Sequence, residues 1–140
     1  MNTKEIIELF EKNMKCEVLA KTREQKVVAT RAAIFHYLVN YKGMTMTEAR
    51  ANIETYSGKK YDAPTEATIY NAINKYKSYR NKYPRLDDTI RELVMIDESD
   101  CIKINCIVDV LKSKEDKLDK NKVTDLFKEL NIYLDLKNNI

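Results

Sequence analysis

The chain has 140 residues, of which 34% are charged, with a formal net charge of +3 and only 2 glycines and 2 prolines. This length supports a single modest core, and so few turn-forming residues disfavour a protein built from many short strands. No apolar run approaches the ~20 residues of a membrane span. The N-terminus also lacks the uninterrupted apolar segment of a signal peptide. The composition therefore predicts an all-α protein, which we expect to be cytoplasmic and to have no membrane partner.

The positive charge is concentrated in the first two thirds of the sequence. Residues 1–92 contain 17 Lys and Arg against 12 Asp and Glu, whereas residues 93–140 contain 8 against 10. A basic region of this kind is typical of proteins that bind nucleic acid. The alternative is a lysine-rich surface that only aids solubility.

Few residues in this sequence suit metal or catalytic chemistry. Cys16, Cys101 and Cys106 are an odd number without an export signal, which predicts reduced thiols, the last two packed in a helix. His36 is the only histidine and lies in an apolar segment, so we expect it to be structural and bonded locally. No phosphate-binding glycine loop, apolar carboxylate pair or nucleophile motif is present. We therefore expect no metal, no cofactor, no small-molecule substrate and no enzymatic activity.

The N-terminal part of the sequence predicts a helix followed by a basic loop. Asn2 followed by Glu5 indicates an N-capped helix, and its apolar stripe consists of Ile6, Ile7, Phe10 and Met14. After a break near Asn13, a short helical continuation is predicted from the apolar residues Cys16, Val18 and Leu19. Residues 21–26 include Lys21, Arg23 and Lys26 and no apolar residue, so we expect an exposed basic loop there.

The apolar segment at residues 27–41 predicts the central helix of the core. Its inward positions are Val28, Ala32, Phe35 and Val39, widened by Ile34, Tyr37 and Leu38. Gly43 supplies a stop, because glycine accepts the left-handed conformation that ends helices. Thr45 or Thr47 caps the next helix, whose inward residues are Ala49, Ile53 and Tyr56. Residues 58–64 then predict a turn.

Residues 64–85 predict one long helix with two chemically different faces. Thr65 follows Pro64 and is a good N-cap. One face carries Ile69, Ala72, Ile73, Tyr76 and Tyr83, and the opposite face carries Ala67, Asn71, Asn74, Ser78 and Asn81. A solvated helix face normally favours long charged residues. Asparagine can bond adenine in bidentate fashion and an alanine methyl can contact thymine, so Asn71 and Ala67 suit base reading. The alternative is that asparagine is simply common in this chain.

Three further amphipathic helices are predicted after Pro84, at residues 86–96, 98–113 and 121–137. We divide the chain into a domain at residues 1–96 and a helical extension at residues 97–140. The acidic balance of the extension disfavours DNA contact. We expect it to pack against the domain or to pair two copies as a homodimer.

Four stretches of the sequence occur in an order known from one family. They are IIELF, CEVLAKTREQKVVATRAAIFHYLVNY, MTMTEARANIETY and ATIYNAINKY. Over roughly residues 5–95 they resemble the C-terminal DNA-binding domain of the bacterial replication initiator DnaA, a Trp-repressor-like helix-turn-helix domain. The last stretch is similar to the start of that family's recognition helix, where a threonine, a β-branched residue and a small residue recur, here Thr68, Ile69 and Ala72.

The resemblance implies a compact helix-turn-helix bundle of about five helices, to which this chain adds a two-helix C-terminal extension. It also implies that the basic loop reaches the minor groove and the tip of the long helix reads the major groove. The family's Asp-His-Thr triplet is replaced here by Thr65, Glu66 and Ala67, so its origin-box specificity is not transferred. Residues 58–64 are also longer than the family's tight turn. No ATPase phosphate loop is present, which leaves a stand-alone DNA-binding protein.

We therefore expect sequence-specific binding of double-stranded DNA, for transcription or replication control, for instance in a phage or mobile element. The candidate base-reading residues are Thr65, Glu66, Ala67, Thr68, Tyr70, Asn71 and Asn74. The candidate phosphate or minor-groove contacts are Lys21, Arg23, Lys26, Lys59, Lys60, Lys75, Lys77, Arg80 and Lys82. The alternative is an all-α protein-interaction module, an inhibitor or adaptor. Its support is a set of tyrosines, a residue type enriched at interfaces: Tyr56, Tyr61, Tyr70, Tyr76, Tyr79 and Tyr83.

Overall fold

Helices form every regular element in the part of the chain that the structure describes. The structure is a computed structural model, and the described residues are 1–57, 64–97, 100–113 and 128. In chain order the helices are α1 (Thr3–Met14), α2 (Gln25–His36), α3 (Met46–Ser57), α4 (Glu66–Lys82), α5 (Pro84–Ile96) and α6 (Asp100–Ser113). The chain divides into two compact units, Met1–Glu98 and Ser99–Ile140. The prediction of an all-α protein is confirmed.

Some predictions fall outside the described residues. These are residues 58–63 of the predicted turn, with Lys59, Lys60 and Tyr61, and the helix predicted at residues 121–137 apart from Lys128, which is helical.

Side-chain oxygens cap the three helices for which the sequence predicts N-caps. The caps are Asn2 for α1, Thr45 for α3 and Thr65 for α4. Each oxygen accepts a hydrogen bond from the backbone N–H three residues further on, at 2.9, 3.1 and 3.3 Å respectively. Such a bond satisfies one of the N–H groups that have no partner in the first turn of a helix. Local sequence predicts the caps of α1 and α4, and of the two candidates for α3 the geometry selects Thr45 over Thr47.

The segment that follows α1 differs from the prediction. α1 ends at Met14, and Lys15 adopts the left-handed conformation with φ of 52°. Residues 16–24 form no helix, so the predicted short helix there is wrong. α2 begins at Gln25, which places Lys26 in its first turn rather than in the loop. The physical reason is that Arg31 of α2 donates hydrogen bonds to three backbone carbonyls of this segment, as described below.

α2 is the central helix of the first unit, and it packs against α1 and most extensively against α4. It continues directly into a π-helix at Tyr37–Tyr41. Its buried residues cover most of its circumference: Val27, Ala29, Thr30, Ala32, Ala33, Ile34, Phe35 and His36. Of the residues predicted to face inward, Val28 and Val39 are only half-buried. The predicted stripe of α1 is buried as expected.

Aromatic rings join α2 to α4. The His36 ring lies 4.6 Å from the Tyr76 ring and 5.6 Å from the Tyr41 ring, measured between centroids. Its Nδ1 is 2.9 Å from the side-chain nitrogen of Asn40, so His36 is bonded locally. At the other end of the contact, Lys82 Nζ donates to Gln25 Oε1. α4 therefore ends where α2 begins, and the two helices are antiparallel.

The two cysteines of α6 are not buried. Cys101 is exposed and Cys106 is half-buried, whereas Ile102 has only 3% of its surface exposed. The observed helix agrees with the predicted one. The expectation that Cys101 packs as a small apolar residue is wrong, because the buried position is the next residue, Ile102.

Gly43 ends the central helix with φ of 73°, and a Cβ at this position would meet nothing within 4 Å. The substitution Gly43→Ala therefore tests backbone strain without a steric clash. We expect it to lower the free energy of unfolding by about 1 kcal/mol, because a residue with a Cβ disfavours this conformation. Urea denaturation monitored by circular dichroism measures the change. A stability equal to that of the unaltered protein would contradict this account of how the helix ends.

Candidate nucleic-acid interface

α4 presents a continuous polar face to solvent. Ala67, Asn71, Asn74, Ser78 and Asn81 are all exposed, and we call these residues the amide face. On the opposite side of the helix, Ile69 and Tyr76 have at most 1% of their surface exposed. The helix is therefore held by its apolar side against the core, and the amide face stays open to a partner.

Asn71 and Asn74 are two of the three asparagines on the amide face, and their carboxamides are available to a partner. Neither Asn71 nor Asn74 makes a side-chain hydrogen bond to another described residue. Each carboxamide offers a donor NH₂ and an acceptor oxygen side by side. Such a pair matches the N6 donor and N7 acceptor that adenine presents in the major groove.

The residues at the tip of α4 are exposed but already engaged within the protein. Thr65 Oγ1 lies 3.0 Å from Thr68 Oγ1, in addition to capping the helix. The Glu66 carboxylate accepts a hydrogen bond from Thr47 Oγ1. Three of the predicted base-reading residues, Thr65, Glu66 and Thr68, are therefore already hydrogen-bonded within the protein. Tyr70 projects from one flank of the helix with 54% of its surface exposed.

The contact between Thr47 and Glu66 also defines how α3 and α4 are arranged. Both residues belong to the first turn of their helices. In a helix-turn-helix motif, a turn of 3–4 residues places the start of the second helix beside the end of the first. Here residues 58–65 separate the two helices, and the start of α4 lies beside the start of α3.

Lysines border the amide face on both sides. Lys75 and Lys82 are seven residues apart and follow one edge, whereas Lys77 lies on the opposite edge. All three side chains are exposed. Since Lys82 donates to Gln25, the edge with two lysines adjoins the start of α2, directly after the loop that carries Lys21 and Arg23.

The α1–α2 loop, residues 15–24, is held by side chains from both neighbouring helices. The Arg31 guanidinium donates to the carbonyls of Val18, at 2.6 Å, of Thr22, at 3.2 Å, and of Ala20. Glu11 Oε2 accepts from the Val18 N–H at 3.0 Å. Lys21 and Arg23 remain exposed, and Lys26, in α2, is half-buried. Arg31 was not among the predicted site residues, although an arginine inside an otherwise apolar helix was a signal.

Arg80 is not available to DNA, in contrast to the prediction. Its Nη2 is 2.8 Å from Asp87 Oδ1 and its Nε is 3.1 Å from Oδ2, so the pair is bidentate. The guanidinium also lies 4.8 Å from the centre of the Tyr76 ring, and only 11% of the side chain is exposed. Arg80 follows Tyr76 by four residues and shares its buried side of α4. It joins α4 to α5, so we remove it from the candidate phosphate contacts.

The tyrosines form only a small exposed aromatic surface. Of the tyrosines that support the protein-interaction alternative, Tyr70 is exposed and Tyr76 is buried. The other described members are half-buried: Tyr56, Tyr79 and Tyr83. Burial raises the pKa of the Tyr56 hydroxyl, and the carboxylates of Glu11 and Glu8 raise it further. Most of these rings therefore pack against the protein itself.

Comparisons with known proteins give no match: no family model, curated protein or solved structure matches this chain. Among the described helices, none combines the length and the apolar character that crossing a bilayer requires. The described residues also contain no group of three or more side chains suited to holding a metal ion. The chemistry of the surface around α4 is therefore the basis for assigning a function.

Proposed function

We propose that this protein binds double-stranded DNA in a sequence-specific manner, with the amide face of α4 in the major groove. One observation carries the proposal. Two exposed, unbonded carboxamides, Asn71 and Asn74, lie on a helix face that is bordered by lysines on both edges and ends beside a fixed basic loop.

The dimensions of α4 suit this role. An α-helix with its side chains is ~10–12 Å wide, and the major groove is ~12 Å wide. α4 has 17 residues, so it extends over ~25 Å. Small residues at Ala67 and Ser78 allow the helix backbone to approach the base edges closely, and Asn71 between them would bond adenine.

The cations around this face supply the part of the affinity that does not depend on sequence. Lys75 and Lys82 on one edge and Lys77 on the other would meet phosphates on both sides of the groove. Lys21 and Arg23 extend the positive surface beyond the end of α4. We also propose a role in the control of transcription or replication. This part of the proposal rests on the sequence resemblance.

Selection from a pool of random duplexes tests the proposal. We expect the unaltered protein to enrich a motif that contains at least one adenine–thymine pair. An inverted repeat in the motif would indicate that two copies bind together. If no motif is enriched and the pool is not retained even at low salt, the proposal is wrong.

The substitution Asn71→Ala should change the motif at a single position. We expect a loss of about 1–3 kcal/mol of binding free energy for the preferred base pair there, and little change at other positions. Competition titrations with point-substituted duplexes measure this difference. Lys77→Ala is the matched control, because loss of a phosphate contact should weaken binding to all sequences alike. A uniform loss for Asn71→Ala as well would argue against base reading by this residue.

A further inference from the structure

We infer that Arg31 is a positioning residue for DNA binding, an inference that rests on the proposed function. It holds the α1–α2 loop, which carries Lys21 and Arg23 and leads into the start of α2 beside the end of α4, in its folded shape, and it does not itself contact DNA.

The guanidinium of Arg31 donates to three carbonyls of the same short segment. The acceptors belong to alternate residues, Val18, Ala20 and Thr22. Residues 16–24 have no helix or strand to satisfy their backbone groups, and unsatisfied carbonyls are costly when they are removed from water. One planar side chain with several fixed donors therefore replaces the hydrogen bonds that regular structure would provide.

The loop is also anchored on either side of these carbonyls. Glu11 in α1 accepts from the N–H of Val18 at 3.0 Å, and Thr22 Oγ1 accepts from the N–H of Glu24 at 3.1 Å. Arg31 lines a small apolar recess together with Val18 and Leu19 of the loop. The carbonyls point towards Arg31, whereas the side chains of Lys21 and Arg23 are exposed.

This arrangement explains how an irregular loop serves as a contact surface. Ordering a loop at the moment of binding lowers affinity, so a loop that is already ordered binds more tightly with the same cations. The bond from Lys82 to Gln25 places the end of α4 beside the end of this loop. Arg31 thus connects the core helix to the position of two cations at the candidate interface.

The first test measures the loop without DNA. Trypsin cleaves after Lys21 and Arg23 only if the loop can leave its folded shape. Arg31→Lys keeps the charge and most of the stem but loses the planar fork. We expect it to raise the rate of cleavage at these two sites by about tenfold or more, as followed by mass spectrometry. Arg91→Lys, at an exposed position in α5, is the matched control and should leave this rate unchanged.

The second test is a double-mutant cycle on binding to a random-sequence duplex. In the otherwise unaltered protein, Arg31→Lys should weaken binding by about tenfold at about 0.1 M salt, because the two loop cations are no longer held at phosphates. In a protein that already carries Lys21→Ala and Arg23→Ala, the same change should have no further effect. Circular dichroism establishes that all variants are folded. Arg31→Met repeats the cycle without the charge and should give the same result.

The outcomes separate this inference from the proposed function. Equal losses from Arg31→Lys in both backgrounds would show that Arg31 acts independently of the loop cations and would overturn the inference. Cleavage at Lys21 and Arg23 that Arg31→Lys does not change would also overturn it. If the unaltered protein binds no duplex, the proposed function itself is wrong, whatever the protease shows.

Discussion

Replacing Asp87 with asparagine is expected to lower the free energy of unfolding by about 3 kcal/mol, because it removes one charge of a mostly buried ion pair. Asp87 accepts two hydrogen bonds from Arg80 and a third, at 2.9 Å, from the Tyr76 hydroxyl. Without the carboxylate charge, the Arg80 guanidinium, whose side chain is only 11% exposed, loses its ion pair with α5. Urea denaturation gives the free energy of unfolding.

The neighbouring residue provides the control for this prediction. Asp88 pairs with Arg91 at 3.7 Å, and both side chains are 63% exposed. Exposed pairs of this type contribute little, so Asp88→Asn should change stability by less than about 0.5 kcal/mol. Similar effects of the two substitutions would show that the pair between α4 and α5 does not hold Arg80 in the interior.

Removing four cations from the proposed interface is expected to weaken DNA binding by about a thousandfold at about 0.1 M salt. The substitutions Lys21→Ala, Arg23→Ala, Lys75→Ala and Lys82→Ala each remove one phosphate contact. Each contact contributes about 0.9 to the slope of log K against log salt, so the four together should make that slope shallower by about 3.6. Fluorescence anisotropy with a labelled duplex measures both quantities.

A second quadruple variant tests whether the position of the charge matters. Four other exposed cations of the first unit change the net charge equally: Lys4, Lys12, Arg50 and Arg91. Replacing them with alanine should lower affinity far less, because they lie outside the proposed contact surface and act only through the overall charge. Equal losses in the two variants would mean that DNA binding, if present, is not localised at α4.

Local sequence was sufficient to predict much of the fold. The caps at Asn2, Thr45 and Thr65 and the stop at Gly43 each depend on residues within one turn, so pattern and chemistry agree. The two faces of α4 were also predictable, because Ile69 and Tyr76 recur at helical spacing and the amide face has the opposite phase.

The roles of two arginines were not predictable in the same way. In the sequence, Arg80 is one more cation beside the lysines of the same helix. Only the packing of α5 brings Asp87 to it. Its position four residues after Tyr76 was the available clue. Arg31 bonds backbone carbonyls, whose positions the sequence does not indicate, and its place inside an otherwise apolar helix was the available clue. For the same reason the α1–α2 loop was mistaken in part for a helix: the bonds that replace regular structure come from a residue that is distant in sequence.

The relation between α3 and α4 also depends on long-range contacts. The sequence indicates that residues 58–64 exceed a tight turn, but it does not give the direction of the following helix. The bond between Thr47 and Glu66 provides that direction. DNA contact by the amide face and by the loop cations stays a prediction that solution measurements must decide.

The salt dependence of binding to a random-sequence duplex tests the central claim most directly. The candidate cations that remain after the exclusion of Arg80, within the described residues, are Lys21, Arg23, Lys26, Lys75, Lys77 and Lys82. If these six meet phosphates, binding should be measurable at about 50 mM salt, and log K should fall with log salt with a slope of about −5. No binding at that salt concentration, or an affinity that does not change as salt is added, would contradict the proposal that α4 and the adjoining loop form a DNA-binding surface.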